Sequence, residues 1–239
     1  ITFTVMKRLI NSLRNIFYFI QNYFIKAGSP IGIYYQNLSQ ECYNFFEQDM
    51  KKSAIFLKSN DIRKYSISKA FNNSKKEGNL FLEFGVYKGD SINLFGDFLL
   101  QHGKEIYGFD SFEGLEEEWN MNDYNPIGRF SLNKKSPKVL KNVTLIKGKV
   151  QNTLENFLKD KKDKKIIFAH MDMDTYTPTK YAINKIKPFL QKGSVILFDE
   201  FYGFPNWQLH EYKAFTEVFN EKEYKYIAFC ESEVAVEIL

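Results

Sequence analysis

From residue 79 onward, short apolar runs alternate with stretches that have helical spacing, and this alternation constrains the fold more than any other feature. Strands that alternate with helices predict an α/β fold with a doubly wound, mostly parallel sheet, whose ligands lie beyond the carboxyl ends of the strands. The predicted parallel strands are Leu80–Phe84, Glu105–Phe109, Val143–Ile146, Ile166–Met171 and Val195–Phe198.

The two ends of the chain depart from this alternation. Tyr224–Cys230 and Val234–Leu239 are two strand patterns joined by a tight turn, which predicts an antiparallel hairpin at the sheet edge. Residues 1–75 lack a convincing strand and are predicted to be helical. We therefore expect an N-terminal helical segment, 1–75, that serves packing, oligomer contacts or a substrate lid, and an α/β domain over 76–239.

Composition excludes several classes of protein. The net charge of +4 is mild, and the lysines of residues 134–165 are interspersed with acidic residues and almost no Arg, which favours a solvated surface over a nucleic-acid site. The two cysteines stand far apart without metal spacing, as expected for a reduced, cytoplasmic protein. The three histidines form no HExxH pattern, which argues against a zinc hydrolase.

The aromatic segment Ile16–Ile25 is shorter than the ~20 apolar residues that span a bilayer, and no small-residue cleavage site follows it. Basic residues flank it, so the helix could lie on a membrane surface, pack on the domain or form a dimer interface. We favour packing or dimerisation and expect a homo-oligomer. Met6 resembles a start, so Ile1–Val5 could be an extension or the mark of a truncation.

Two acidic pairs follow the fourth and fifth predicted strands: Asp172 with Asp174, and Asp199 with Glu200. A strand, a helix and a strand imply a right-handed parallel crossover, so both pairs leave the sheet at the same edge. Neighbouring strands lie about 4.8 Å apart, so the carboxylates can share one cation. The oxygen ligands favour Mg²⁺ over zinc, and a metal-assisted enzyme is the first hypothesis.

The first predicted strand leads directly into a glycine turn. Gly85 and Gly89 permit close backbone approach to a ligand, and the following helix N-terminus offers unpaired amides. Tyr87 replaces a glycine of the dinucleotide fingerprint GxGxxG and leaves little room for a pyrophosphate. The turn therefore suits a ligand without phosphates, such as S-adenosylmethionine, and disfavours NAD.

Asp110 ends the second predicted strand, some twenty-five positions after the glycine turn, where an acidic residue can accept hydrogen bonds from both ribose hydroxyls. Glu83 is expected to order the turn in a binding role. The candidate cofactor-binding residues are Glu83, Gly85, Tyr87, Gly89, Ser91, Asp110, Ser111, Phe112 and Gly148.

Four motifs, LEFGVYKGDSI, GFDSFEGL, DMDTYTPT and FDEFYGF, together resemble class I S-adenosylmethionine-dependent methyltransferases of the macrocin O-methyltransferase type. The resemblance covers about residues 78–215. It implies a Rossmann-like fold and a metal-dependent enzyme that methylates a sugar or glycan hydroxyl. By this resemblance Asp172, Asp199 and Glu200 hold the metal and Asp174 is the general base, with Glu200 a departure because relatives often have Asp there.

Alternatives remain at several of these positions. His170 lies on the same strand face by spacing and is the reserve candidate for the base, whereas Asp174 could instead cap the following helix. Trp207 and His210 could shape the acceptor pocket or simply pack in a loop. The rival functions are a catechol-like phenol O-methyltransferase and a non-catalytic Rossmann-like module in glycan assembly.

Overall fold

The structure, a computed structural model, describes residues 28–73, 79–120 and 124–239, and it divides the chain into two compact units, residues 1–45 and 46–239. The prediction for Ile16–Ile25 lies outside the described residues. Within the described part of the chain, no helix is long and apolar enough to cross a membrane.

Helix α1 covers residues Pro30–Met50. Ser29 begins it, since its Oγ accepts the Gly32 backbone N–H at 3.1 Å and Pro30 occupies the first helical position. Several large apolar side chains of its first half are exposed, among them Ile31 and Tyr34.

The larger unit is built around an eight-stranded sheet. Its strands are β1 Ala54–Ile55, β2 Leu80–Phe84, β3 Ile106–Asp110, β6 Val143–Lys147, β7 Ile166–Met171, β8 Leu190–Phe198, β9 Tyr224–Cys230 and β10 Glu233–Ile238; a separate antiparallel pair is formed by β4 Trp119–Asn120 and β5 Tyr124–Asn125. The strand order in the sheet is β1-β9-β10-β8-β7-β2-β3-β6. Strand β10 pairs antiparallel with both β9 and β8, and all other neighbours pair parallel.

This arrangement confirms the predicted doubly wound, mostly parallel sheet with a C-terminal antiparallel hairpin and a helical segment before it. Strands β2 and β7 are buried along their whole length, as expected for central strands covered on both faces. The helices of this unit are α2 Ser59–Asn73, α3 Asp90–Leu100, α4 Val150–Asp160, α5 Tyr176–Ile186 and α6 Glu211–Thr216, with short 3₁₀ turns at Lys187–Phe189 and Trp207–Leu209.

The boundary expected between residues 75 and 76, and the role expected for the helical segment before it, stay predictions. Helix α2 packs against β7, β8, β9 and α3, within the unit of residues 46–239. Strand β1, which pairs parallel with β9, also falls in the region predicted to lack strands. Its two residues are too few for a recognisable pattern.

Candidate active site

The strand ends that carry the predicted site residues lie side by side. In the sheet register, Phe84 pairs with both Phe109 and Met171, and Met171 pairs with Phe198. The residues that follow continue the ladder: the Asp172 N–H donates to Phe84 O at 2.8 Å, and the Asp199 N–H donates to Met171 O at 3.0 Å. The glycine turn and both acidic pairs therefore meet at one sheet edge, between strands whose crossovers run in opposite directions.

Gly85 is pressed against the backbone of Asp172. Its φ is +86°, and a Cβ placed on it would lie 1.6 Å from the Asp172 carbonyl oxygen. Only glycine fits there, because both the conformation and the space exclude a side chain. This close approach ties the glycine turn to the first acidic residue of the site.

The carboxylate of Asp110 organises the same turn. Its Oδ2 accepts the backbone N–H groups of Val86 and Tyr87, both at 2.8 Å, and its Oδ1 accepts the Phe112 N–H at 2.6 Å. A carboxylate offers about four acceptor positions, so these three bonds leave room for roughly one further donor. The role of Asp110 towards a ribose stays a prediction, and the structure adds a turn-ordering role.

A cavity of about 270 Å³ opens at this edge of the sheet. Five of the predicted cofactor-binding residues line it, and so do three of the four predicted acidic residues; Glu83, Gly89, Ser91, Phe112 and His170 are not among its lining residues. The lining residues that sequence reasoning predicted are Gly85, Tyr87, Asp110, Ser111, Gly148, Asp172, Asp174 and Glu200.

The acidic residues form two overlapping groups whose ligand atoms lie within 4.8 Å of one another. Asp172, Asp174 and Glu200 form the outer group, which lines the cavity, and His170, Asp172 and Asp199 form the inner group. Asp172 belongs to both groups. The three predicted metal ligands are thus adjacent without all sharing one group, and their metal-binding role stays a prediction.

The outer group carries uncompensated negative charge. Burial and the charge of Asp199 raise the pKa of Asp172 and of Glu200, and they raise the pKa of Asp174 to about 7. Burial also raises the pKa of the neighbouring Glu211, whose Oε2 accepts the Glu200 N–H at 3.1 Å. A divalent cation would relieve this repulsion.

The inner group belongs to a buried row of acidic and basic side chains. His170 is fully buried, with Nδ1 3.6 Å from Glu83 Oε2 and Nε2 3.6 Å from Asp199 Oδ1. Burial opposes protonation of His170, but the carboxylates of Asp199 and Glu83 raise its pKa to about 10. The raised pKa and the position of His170 outside the cavity lining argue against its reserve role as a base.

This row of side chains extends from Asp199 to Arg63 and then to Glu233. Arg63 Nη2 donates to Asp199 Oδ1, and Arg63 Nε donates to Glu233 Oε1 at 2.7 Å. Burial would raise the pKa of Asp199, but His170 and Arg63 hold it well below its usual value. Asp199 is therefore the most firmly ionised carboxylate of the cluster.

A hard divalent ion fits these residues. The donor atoms of the outer group are all carboxylate oxygens, the set that Mg²⁺ and Mn²⁺ prefer. Glu200 Oε2 and Glu211 Oε1 are buried and have no hydrogen-bond partner among the described residues. Buried, unpartnered carboxylate oxygens beside a cavity are what a site for a bound cation would contain.

Sequence reasoning missed Arg63, Glu211 and Glu233. Arg63 and Glu211 lie on helices with no motif, and Glu233 lies beside a hairpin turn. No local pattern identifies them, because tertiary packing alone brings them to Asp199 and Glu200.

Aromatic residues form another wall of the cavity. Trp119 and Phe130 line it together with Tyr87, and the Phe130 ring lies 5.6 Å from Tyr87 and 6.5 Å from Trp119. Trp207 and His210 are not lining residues. Trp207 is buried with its ring 4.8 Å from Tyr212, which supports loop packing.

Comparisons with known proteins agree with this geometry. Residues 82–201 match a family described as a methyltransferase domain. Among solved structures, CalS11, a calicheamicin methyltransferase, superposes with a TM-score of 0.61 at 21% identity over 90% of this chain and 89% of that chain. The O-methyltransferase NovP superposes with a TM-score of 0.57 at 17% identity over 75% and 78% of the two chains. At these identities the likeness shows the fold, and no curated protein sequence matches this chain.

Proposed function

Because this chain belongs to a family of S-adenosylmethionine-dependent methyltransferases, we propose that it is a metal-assisted O-methyltransferase acting on a sugar or glycan hydroxyl. One observation carries the proposal: the outer acidic group lines the same cavity as the glycine turn. The residues that would hold a metal ion and those that would hold the methyl donor are thus neighbours. A further structure of CalS11, described as a TDP-rhamnose 3′-O-methyltransferase, superposes with a TM-score of 0.55 at 19% identity, over 90% of each chain, and suggests the substrate class.

Each part of the cavity has a distinct task in this mechanism. Gly85 and Tyr87, ordered by Asp110, shape the cofactor side. When bound, S-adenosylmethionine supplies the methyl group, and a divalent ion stabilises the alkoxide that develops on the acceptor oxygen. Asp172, Asp199 and Glu200 would hold the ion.

Asp174 is the proposed general base. It lines the cavity and belongs to the outer group, so its carboxylate is within reach of a hydroxyl bound there. Its φ of +62° is uncommon for a residue other than glycine and aims the chain away from the strand direction. Asp174 would accept the proton of the acceptor hydroxyl, and positioning of the hydroxyl in the cavity would contribute most of the catalysis.

The proposal is tested by methyl transfer to a panel of nucleotide sugars and glycans, with and without EDTA. We expect transfer that depends on the metal, is lost in Asp172→Asn, and is retained in Asp160→Asn, an exposed aspartate at the end of helix α4. Full activity in EDTA, or in Asp172→Asn, would exclude the metal role.

The aromatic wall supports a second candidate, a catechol-like phenol acceptor. Trp119 and Phe130 could stack on a flat ring as well as on the apolar face of a sugar. A catechol in the same panel separates the two acceptors by their kcat/KM values. Calorimetry with S-adenosylhomocysteine separates both from a non-catalytic module, for which no tight binding is expected.

A further inference from the structure

Arg63 reaches the acidic cluster from outside the region that matches the methyltransferase family. It lies on helix α2, before residue 82, and it bridges Asp199 and Glu233 through two different guanidinium nitrogens. The side chains of Arg63, Asp199 and Glu233 are only 17%, 16% and 3% exposed. A charge-assisted bridge with this little solvent is geometrically specific, because the guanidinium is a rigid planar fork.

Both cationic contacts of Asp199 fall on the same oxygen. Oδ1 accepts Arg63 Nη2 and lies 3.6 Å from His170 Nε2. The Asp199 backbone is also fixed, since its carbonyl oxygen accepts Ser232 Oγ–H at 2.9 Å. Asp199 is thus held through Oδ1, while one of its carboxylate oxygens lies within 4.8 Å of a ligand atom of Asp172.

We infer that Arg63 is a positioning residue of the metal centre, which fixes the orientation of Asp199 by bridging it to Glu233. The inference rests on the proposed metal-assisted function. Residues that orient metal ligands typically change metal affinity by about 10- to 100-fold when they are replaced. The family match does not contain this support, so helix α2 and strand β10 complete the site.

The inference differs from two simpler roles for the same ion pair. A bridge that only joins helix α2 to the sheet would affect unfolding and leave the metal affinity of the folded protein unchanged. A guanidinium that only supplied positive charge would weaken cation binding, and its removal would tighten metal affinity. A positioning role requires that metal affinity fall when the planar guanidinium of Arg63 is replaced.

The test is a titration of the purified protein with Mn²⁺. Binding is measured by calorimetry and, independently, by the electron paramagnetic resonance signal of free Mn²⁺. We expect Arg63→Met to weaken Mn²⁺ affinity about 10- to 100-fold and Arg63→Lys to weaken it less, because lysine keeps the charge without the fork. Affinity for S-adenosylhomocysteine should stay within about twofold of the wild type, because Arg63 does not line the cavity.

Lys187→Met is the matched control. It removes an ion pair with Glu223, at 2.8 Å, that contacts no member of the acidic cluster, and Mn²⁺ affinity should not change. If circular dichroism shows that Arg63→Met does not fold, the Mn²⁺ affinity of Arg63→Lys tests the inference in its place. Unchanged or tighter Mn²⁺ binding by a folded Arg63 variant would overturn the inference.

The wild-type titration separates this inference from the proposed function. If the wild-type protein binds no Mn²⁺, the metal centre and the inference both fail. If it binds Mn²⁺ and a folded Arg63→Met protein binds it equally well, only the inference fails.

Discussion

Replacing Gly85 with alanine should damage stability and the acidic site together. At φ +86° an alanine costs about 1 to 2 kcal/mol from backbone conformation alone. Its Cβ would also lie 1.6 Å from the Asp172 carbonyl oxygen, where ordinary contact begins at 3.4 Å. The atoms that the Cβ would meet first belong to the backbone of Asp172, so no movement of a flexible side chain can relieve the overlap.

The overlap has a structural and a functional consequence. Forced overpacking typically costs about 1 to 3 kcal/mol, so we expect a total loss of roughly 2 to 5 kcal/mol in the free energy of unfolding. Relief of the overlap displaces the Asp172 backbone by about 2 Å, and a misplacement of about 1 Å can reduce catalysis about 100-fold. Mn²⁺ affinity should fall as well, because Asp172 belongs to both acidic groups.

Gly103→Ala is the control for this prediction. Gly103 also has a positive φ, +63°, but its Cβ would meet nothing within 4 Å. Urea unfolding should therefore show only the conformational cost of about 1 to 2 kcal/mol, with Mn²⁺ affinity unchanged. Equal losses of stability in the two variants, with normal Mn²⁺ binding by Gly85→Ala, would refute the reasoning.

Three further predictions concern the same cluster. Asp172→Asn should lower kcat/KM on the order of 100-fold or more, because it removes an oxygen ligand common to both acidic groups. In EDTA the free energy of unfolding should fall as pH rises from about 4 through 7, by a few kcal/mol, because the folded state binds the Asp174 proton more tightly than the unfolded chain. Ser91→Ala should cost about 1 to 3 kcal/mol, because it removes the 2.8 Å hydrogen bond to the buried Glu83 Oε1.

Each of these three predictions has an outcome that would contradict it. Wild-type kcat/KM in Asp172→Asn would remove that residue from the metal site. For the pH series, saturating Mg²⁺ should restore most of the stability lost at pH 8, and Asp174→Asn should flatten the dependence of the free energy of unfolding on pH. If the free energy of unfolding of the wild-type protein does not change with pH in EDTA, the raised pKa of Asp174 is contradicted. An unchanged urea midpoint in Ser91→Ala would show that Glu83 is satisfied by His170 alone.

The buried parallel strands could be predicted closely from the sequence. Strands β2, β7 and β9 have the predicted bounds. Strands β2 and β7 are covered on both faces, so all but one residue of each is apolar. Strand β8 begins at Leu190, earlier than the predicted Val195, because residues 191–193 are polar or glycine and interrupt the apolar pattern. Its first residue pairs with Ile166 before a register shift, which only the neighbouring strand determines.

By itself the sequence determined which residues lie at the strand ends, since Gly85, Asp110, Asp172 and Asp199 follow runs whose class and order local patterns reveal. The tertiary structure decided how these side chains divide their work: Asp110 orders the glycine turn, His170 is buried between Glu83 and Asp199, and the outer group lines the cavity. It also added Arg63, Glu211 and Glu233. The physical reason is that periodicity reports burial along one segment, whereas ion pairs, register and close backbone contacts join segments far apart in the chain.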